Sequence, residues 1–172
     1  ANERDHIQKL VEENYWIFGE QYHLVTAAEP KFEEALRRHI YLLTGEEKDA
    51  KIEHPDKAGE MDIFMCRWDK SLDTIQNVVV ELKSPTVALG EKQLSQVKKY
   101  MRVILSADEF NGSNMSWDFF LIGNDFDTSG YIESEIKNAS QHGEKYLAFK
   151  ADKYKIYVKK WSEVFAEFEC KH

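Results

Sequence analysis

The chain has 172 residues, a usual length for one domain with a single hydrophobic core, and 42% of them are hydrophobic. Its formal net charge is −8, from 31 acidic and 23 basic side chains, so it lacks the basic excess of a protein that coats nucleic acid. Cys66 and Cys170 have neither CxxC spacing nor a clustered histidine, and no apolar run approaches the ~20 residues of a membrane span. These properties argue against a disordered chain, a zinc or disulfide framework and membrane insertion, and we expect a cytoplasmic globular protein.

The apolar periodicity predicts alternating helices and strands, which is typical of an α/β domain. In chain order, the predicted elements are a helix at 7–18, a helix at 30–43, a polar loop at 46–59, strands at 61–66 and 77–83 with a hairpin connection at 67–76, a helix at 90–105, a strand at 117–123, a short helix at 130–139, a hairpin of strands at 146–149 and 154–158, and a final helix from Trp161. No repeat or linker interrupts this order. Residues 1–172 are therefore predicted to form a single domain, which we expect to be a fragment of a longer protein with further domains.

Three charged residues are predicted to converge on one point of the sheet. Glu81 and Lys83 are two positions apart on a predicted strand, so both point to one face while Leu82 points to the other. The valines at 78–80 indicate a strand buried on both faces, where a charged pair is costly without partners or a metal. Hairpin pairing with the preceding strand can bring Asp62 beside Glu81.

Two carboxylates and an ammonium group match the needs of phosphodiester hydrolysis. Mg²⁺ prefers oxygen ligands and keeps several waters, so Asp62 and Glu81, with the backbone carbonyl of Leu82, form a sufficient ligand set. The cation would lower the pKa of a bound water and stabilise the phosphoryl oxygens. Three roles stay open for Lys83: it can orient that water, deprotonate it, or offset charge in the transition state.

The predicted helix at 90–105 adds two groups of candidates. Gln96 and Tyr100 are four residues apart and share a helix face, where Gln96 can hold Lys83 or a water and Tyr100 can meet a phosphate. The alternative is that Gln96 is solvated and Tyr100 only packs. The basic residues of this helix are a candidate phosphate track, namely Lys92, Lys98, Lys99 and Arg102.

The set Asp62, Glu81-Leu82-Lys83 and Gln96-xxx-Tyr100 resembles the PD-(D/E)xK nuclease superfamily, although Met61 stands where the superfamily has proline. The segments LVEENYWIFG at 10–19 and VELKSP at 80–85 are similar to the Shedu-type nuclease domain of bacterial anti-phage defence. The resemblance implies a restriction-endonuclease-like mixed central β-sheet flanked by helices, dependence on Mg²⁺ or Mn²⁺, cleavage of phage or foreign DNA, and homo-oligomers. It also implies that a glutamate of an N-terminal helix completes the metal site, for which Glu13 and Glu12 are candidates.

We therefore expect a metal-dependent DNA endonuclease that is the effector domain of a defence protein. Three alternatives stay open. The acidic net charge favours a catalytically silent nuclease-fold domain used for nucleic-acid binding or oligomerisation. A repair or RNA nuclease of the same fold is the second alternative, and an α/β domain with a surface ion pair between Glu81 and Lys83 is the third.

Overall fold

The computed structural model describes residues 23–27, 63–69 and 72–171, with side chains for residues 72–166. Its strands are β1 (His23–Ala27), β2 (Ile63–Asp69), β3 (Thr74–Leu82), β4 (Met115–Gly123), β5 (Leu147–Ala151) and β6 (Tyr154–Lys160). Its helices are α1 (Glu91–Leu105), α2 (Tyr131–Ala139) and α3 (Trp161–Lys171), with short 3-10 turns at Asp108–Phe110 and Ser140–His142. The described part is thus an α/β arrangement, as its sequence pattern predicts. None of these helices combines the length and the apolar character needed to cross a bilayer.

The strands form one mixed sheet in the order β1-β2-β3-β4-β6-β5. β3, β4 and β6 run parallel to one another, and the outer pairs β1–β2, β2–β3 and β5–β6 are antiparallel. A parallel neighbour requires a crossover, which α1 provides between β3 and β4. The carboxyl ends of the three parallel strands therefore lie at one edge of the sheet, where ligand sites of α/β folds usually occur.

Two strand predictions differ from the structure. The strand β1 was not predicted, because its five residues carry neither a strict alternation nor a turn signal on each side. The hairpin connection predicted at 67–76 was wrong in extent, since β2 and β3 run into it and leave only residues 70–73 between them. Residues 67–69 and 74–76 belong to the paired ends of these two strands. The predicted helices at 7–18 and 30–43 and the loop at 46–59 lie outside the described residues.

The core lies between α1 and one face of the sheet. α1 contributes Leu94, Val97, Met101 and Ile104, and these residues join one buried cluster with Val79, Phe119 and Leu121 of the central strands. The apolar residues of α1 recur every three or four positions, so they form the stripe that the helix buries. Residues 78–80 are 2%, 0% and 0% exposed, which confirms the prediction that this part of β3 is buried on both faces.

Polar contacts fix the far end of α1. The Asn111 side-chain amide donates hydrogen bonds to the carbonyl oxygen of Ile104, in the last turn of α1, at 2.7 Å and to that of Ala107, just after the helix, at 2.8 Å. The indole nitrogen of Trp117 donates to the carbonyl oxygen of Phe110 at 2.9 Å, and the two rings pack edge to face at 5.2 Å. These contacts connect the end of α1 to β4. The orientation of α1 over β3 therefore depends on packing as well as on the chain segments that join the helix to the two strands.

Candidate active site at the carboxyl ends of the parallel strands

Glu81 lies near the carboxyl end of β3, on the face covered by α1. Val79 belongs to the α1-side core cluster, and alternation along the strand gives Glu81 the same orientation. Glu81 is 5% exposed and is the only charged residue that is buried among residues 72–166. A buried carboxylate costs free energy unless it has compensating interactions. Glu81 is therefore a candidate functional carboxylate at the end of a central strand.

Lys83 reaches from the end of β3 to α1. Its ammonium nitrogen donates a hydrogen bond to Gln96 Oε1 at 2.9 Å, and its backbone N–H donates to the Ile122 carbonyl oxygen at 2.9 Å. The second bond continues the parallel ladder with β4 by one residue and fixes the backbone of Lys83. The sequence predicts either Lys83 or a water as the partner of Gln96, and the first bond is the contact with Lys83. Glu81, Lys83 and Gln96 thus belong to one corner of the fold.

A close approach of two loops holds the start of α1 at this corner. The backbone N–H of Leu89 donates to the backbone carbonyl oxygen of Asp125 at 2.9 Å, and the backbone N–H of Asp127 donates to the carbonyl oxygen of Leu89 at 2.8 Å. Gly90 directly follows Leu89, and a Cβ atom on Gly90 would lie 1.9 Å from Asp127 Oδ2. The N–H of Gly90 donates to Gln93 Oε1 at 2.9 Å, which satisfies a donor at the helix start. The loop after β4 therefore positions the helix that carries Gln96.

Tyr100 lies one turn beyond Gln96 on α1. It is half-buried and packs against the core cluster, as the packing alternative for this residue requires. Gln96 is also half-buried, so it is not the fully solvated residue that the alternative interpretation of this helix requires. A contact between Tyr100 and a phosphate remains a prediction.

The structure separates the four basic residues of α1 into two groups. Lys92, Lys99 and Arg102 are exposed and follow one another at the spacing of a helical stripe. Lys98 is half-buried, and its ammonium lies 4.8 Å from the centre of the Phe149 ring, a cation–π contact that the three exposed residues do not share. Because successive helical residues are about 100° apart, Lys98 and Lys99 cannot face the same way. The exposed stripe consists of Lys92, Lys99 and Arg102.

Three of the predicted metal ligands belong to parts of the chain that the structure does not describe. Asp62, Glu12 and Glu13 lie outside the described residues, and the last described pair of the β2–β3 ladder is Ile63 with Val80. Among residues 23–27, 63–69 and 72–171, no three His, Cys, Asp or Glu residues come together as a metal-binding group. Leu82 is 1% exposed, so its side chain is buried in the core. Metal binding by Asp62, Glu81, the Leu82 carbonyl and Glu13 remains a prediction.

Two charged residues were not singled out from the sequence. Lys160 ends β6 at the same edge of the sheet as Lys83, but this is visible only once β6 is known to pair with β4. Asp118 on β4 pairs with Val78, which places it on the sheet face opposite Glu81. Burial raises the pKa of Asp118 to about 6, with Glu144 adding to the increase and Lys155 opposing it. The sequence signal for Asp118 is a single acid in an otherwise apolar and aromatic strand.

Replacing Asp118 by asparagine is expected to change how stability depends on pH. The pKa of Asp118 is higher in the folded than in the unfolded chain, so the ionised carboxylate destabilises the folded chain. This loss of stability develops as the pH rises from about 4 through about 6. At pH 7.5 Asp118→Asn should therefore be more stable than the wild type by roughly 1–3 kcal/mol, and near pH 4 this advantage should vanish. Urea unfolding of both proteins at the two pH values measures the difference. An equal difference at both pH values would contradict the assignment.

No family model, curated protein or solved structure matches the chain at a significant level. Membership in a nuclease family therefore stays a proposal that rests on the motifs and on the site.

Proposed function

We propose that the chain is a metal-dependent DNA endonuclease domain of the PD-(D/E)xK kind with a restriction-endonuclease-like fold. The observation that carries this proposal is the arrangement at the end of β3. A buried carboxylate, Glu81, and the ammonium group of Lys83 come from the same strand edge, and Gln96 holds that ammonium group from α1. Glu81 and Lys83 are two of the residues on which the resemblance to the PD-(D/E)xK nucleases rests, and the mixed α/β sheet is compatible with such a fold.

The donor set suits a hard divalent cation. A carboxylate that is 5% exposed offers oxygen ligands in a site largely shielded from water, where Mg²⁺ or Mn²⁺ can offset its charge. We propose that Asp62, which directly precedes β2 in the sequence, supplies the second carboxylate of the metal site. The Leu82 carbonyl and Glu13 would complete the set. When bound, the cation supplies Lewis-acid stabilisation of the phosphoryl oxygens and acidifies a bound water.

The protein groups have separate tasks in this proposal. Glu81 fixes the position of the cation, and Lys83 acts on the attacking water or on the developing phosphoryl charge. Gln96 orients Lys83 by accepting its hydrogen bond at 2.9 Å. The exposed stripe of Lys92, Lys99 and Arg102 lies next to Gln96 on α1, since Lys92 and Lys99 are four residues before and three after it, and it provides charge for the DNA backbone.

The biological setting follows from the motif resemblance. We propose a cytoplasmic effector domain of a bacterial anti-phage defence protein that acts as a homo-oligomer. The net charge of −8 requires that the positive charge for DNA be local, as the stripe on α1 is.

Calorimetric titration of Mn²⁺ tests the proposed site directly. The wild-type chain should bind Mn²⁺ and nick supercoiled plasmid in its presence, whereas Asp62→Ala should lose both properties. The matched control is Asp108→Ala, which removes an exposed carboxylate from the 3-10 turn and should change neither. Metal binding without nicking would favour the catalytically silent alternative. No metal binding by the wild type would refute the proposed site, and cleavage of RNA in place of plasmid would change the substrate class.

A further inference from the structure

A second lysine stands in line with Lys83 across the parallel strands. Gly123 at the end of β4 pairs with Lys160 at the end of β6, and Leu82 pairs with Ile122 one step before Gly123. Lys83, Gly123 and Lys160 therefore occupy neighbouring positions on three adjacent strands. Two strand spacings separate the backbone of Lys83 from that of Lys160, which amounts to about 10 Å. Both lysines are at the carboxyl edge of the parallel strands.

The ammonium group of Lys160 is oriented but not enclosed. It lies 4.7 Å from the centre of the Phe126 ring and 3.6 Å from Asp125 Oδ1. The side chains of Lys160 and Asp125 are 36% and 75% exposed, so this ion pair is screened by solvent and contributes little. The backbone N–H of Lys160 donates to Glu163 Oε1 at 2.8 Å, which fixes the start of α3 without using the side chain. The Lys160 charge can therefore exchange Asp125 for another anion at small cost.

Resting on the proposed nuclease function, we infer that Lys160 binds a phosphate of the substrate DNA and that the bound strand crosses the carboxyl edge from Lys83 to Lys160. A backbone separation of about 10 Å lets the two lysine side chains reach different phosphates of one strand, because the phosphates of a strand repeat every ~3.4 Å along the helix axis. Phe126 holds the lysine in place through its ring, and Asp125 competes with the phosphate for the ammonium group. Lys160 and Asp125 therefore have opposite effects on DNA affinity.

The test is duplex DNA binding by fluorescence anisotropy between 50 and 200 mM salt, without divalent metal so that the DNA stays intact. Lys160→Gln is expected to weaken binding roughly three- to tenfold and to lower the slope of log affinity against log salt by about 1. Lys160→Arg should keep wild-type affinity, because arginine retains the charge above Phe126. Asp125→Asn should tighten binding about two- to fivefold, since it removes the competing charge. The matched control is Lys137→Gln, an exposed lysine in the last turn of α2, which should bind like the wild type.

The opposite signs of the two substitutions distinguish phosphate binding from a structural role. If Lys160 only stabilised the loop through Asp125 and Phe126, both Lys160→Gln and Asp125→Asn would lower the unfolding temperature and neither would tighten DNA binding. An unchanged salt slope for Lys160→Gln, weaker binding by Asp125→Asn, or a wild-type chain that does not bind DNA would each overturn the inference. Metal-dependent nicking is scored separately. If the wild type does not nick DNA but binds it in a way that depends on Lys160, the catalytic proposal alone is refuted. If the wild type nicks DNA but its binding does not depend on Lys160, the present inference alone is refuted.

Discussion

Replacing Glu81 by glutamine is expected to reduce metal-dependent nicking at least about 10-fold, because the loss of a direct ligand should cost no less than the loss of a partner that merely orients one. The substitution keeps the size of the side chain and removes only its charge. Stability provides a second readout. A metal that binds the folded chain alone stabilises it, by about 2.7 kcal/mol at 100 times the dissociation constant. The unfolding temperature of the wild type should therefore rise with Mn²⁺, and that of Glu81→Gln should not.

The control for this substitution is Glu109→Gln. Glu109 is an exposed glutamate in the 3-10 turn after α1, and its neutralisation should leave both nicking and the Mn²⁺-dependent rise intact. If Glu81 served only in a structural ion pair, Glu81→Gln would lower the unfolding temperature equally with and without Mn²⁺. Equal stabilisation of wild type and Glu81→Gln by Mn²⁺ would remove Glu81 from the metal site.

Lys83→Met is expected to lower the turnover number by about 10²–10³-fold, the usual effect of removing one positioned group that stabilises transition-state charge. Mn²⁺ binding should persist, because lysine is not a ligand. This combination separates a chemical role from damage to the metal site. A variant that loses Mn²⁺ binding together with turnover would instead assign Lys83 to maintaining the fold of the corner.

Two further variants resolve the role of Lys83. Lys83→Arg keeps the positive charge but cannot act as a base at ordinary pH, so partial activity would favour charge stabilisation and full inactivity would favour proton abstraction. Gln96→Ala removes the acceptor at 2.9 Å from the ammonium group and should lower turnover by roughly 10- to 100-fold with unchanged metal affinity. A shift of the pH–rate profile in Gln96→Ala would show that this hydrogen bond acts through Lys83.

The central elements could be predicted from the sequence because local pattern and burial agree there. The valines at 78–80 are buried on both faces, and the periodic apolar residues of α1 cover the sheet, so propensity, period and packing lead to the same structure. The short edge strand β1 could not be predicted, because its pairing with β2 depends on the tertiary structure.

The site was only partly predictable for a related reason. Alternation along a strand places Glu81 and Lys83 on one face, and helical spacing places Gln96 and Tyr100 together, but both rules are local. The contact of Lys83 with Gln96 needs the crossover by which α1 returns over β3. The alignment of Lys160 with Lys83 needs the sheet order, which sequence pattern does not determine. The separation of Lys98 from Lys99 follows from helix geometry, whereas its contact with Phe149 does not.

The position of β6 between β4 and β5 also sets the order in which the sheet can assemble. β5 and β6 are joined by the two residues 152–153, so their pairing closes a short loop, whereas the pairing of β4 with β6 must close over residues 124–153. Closing a loop lowers the entropy of the chain before a long-range contact can stabilise the fold. Short-range hairpins therefore form sooner than parallel pairs. The hairpin of β5 and β6 is therefore the kinetically accessible unit, and the parallel edge that carries Lys83 and Lys160 is completed only when this unit docks onto β4.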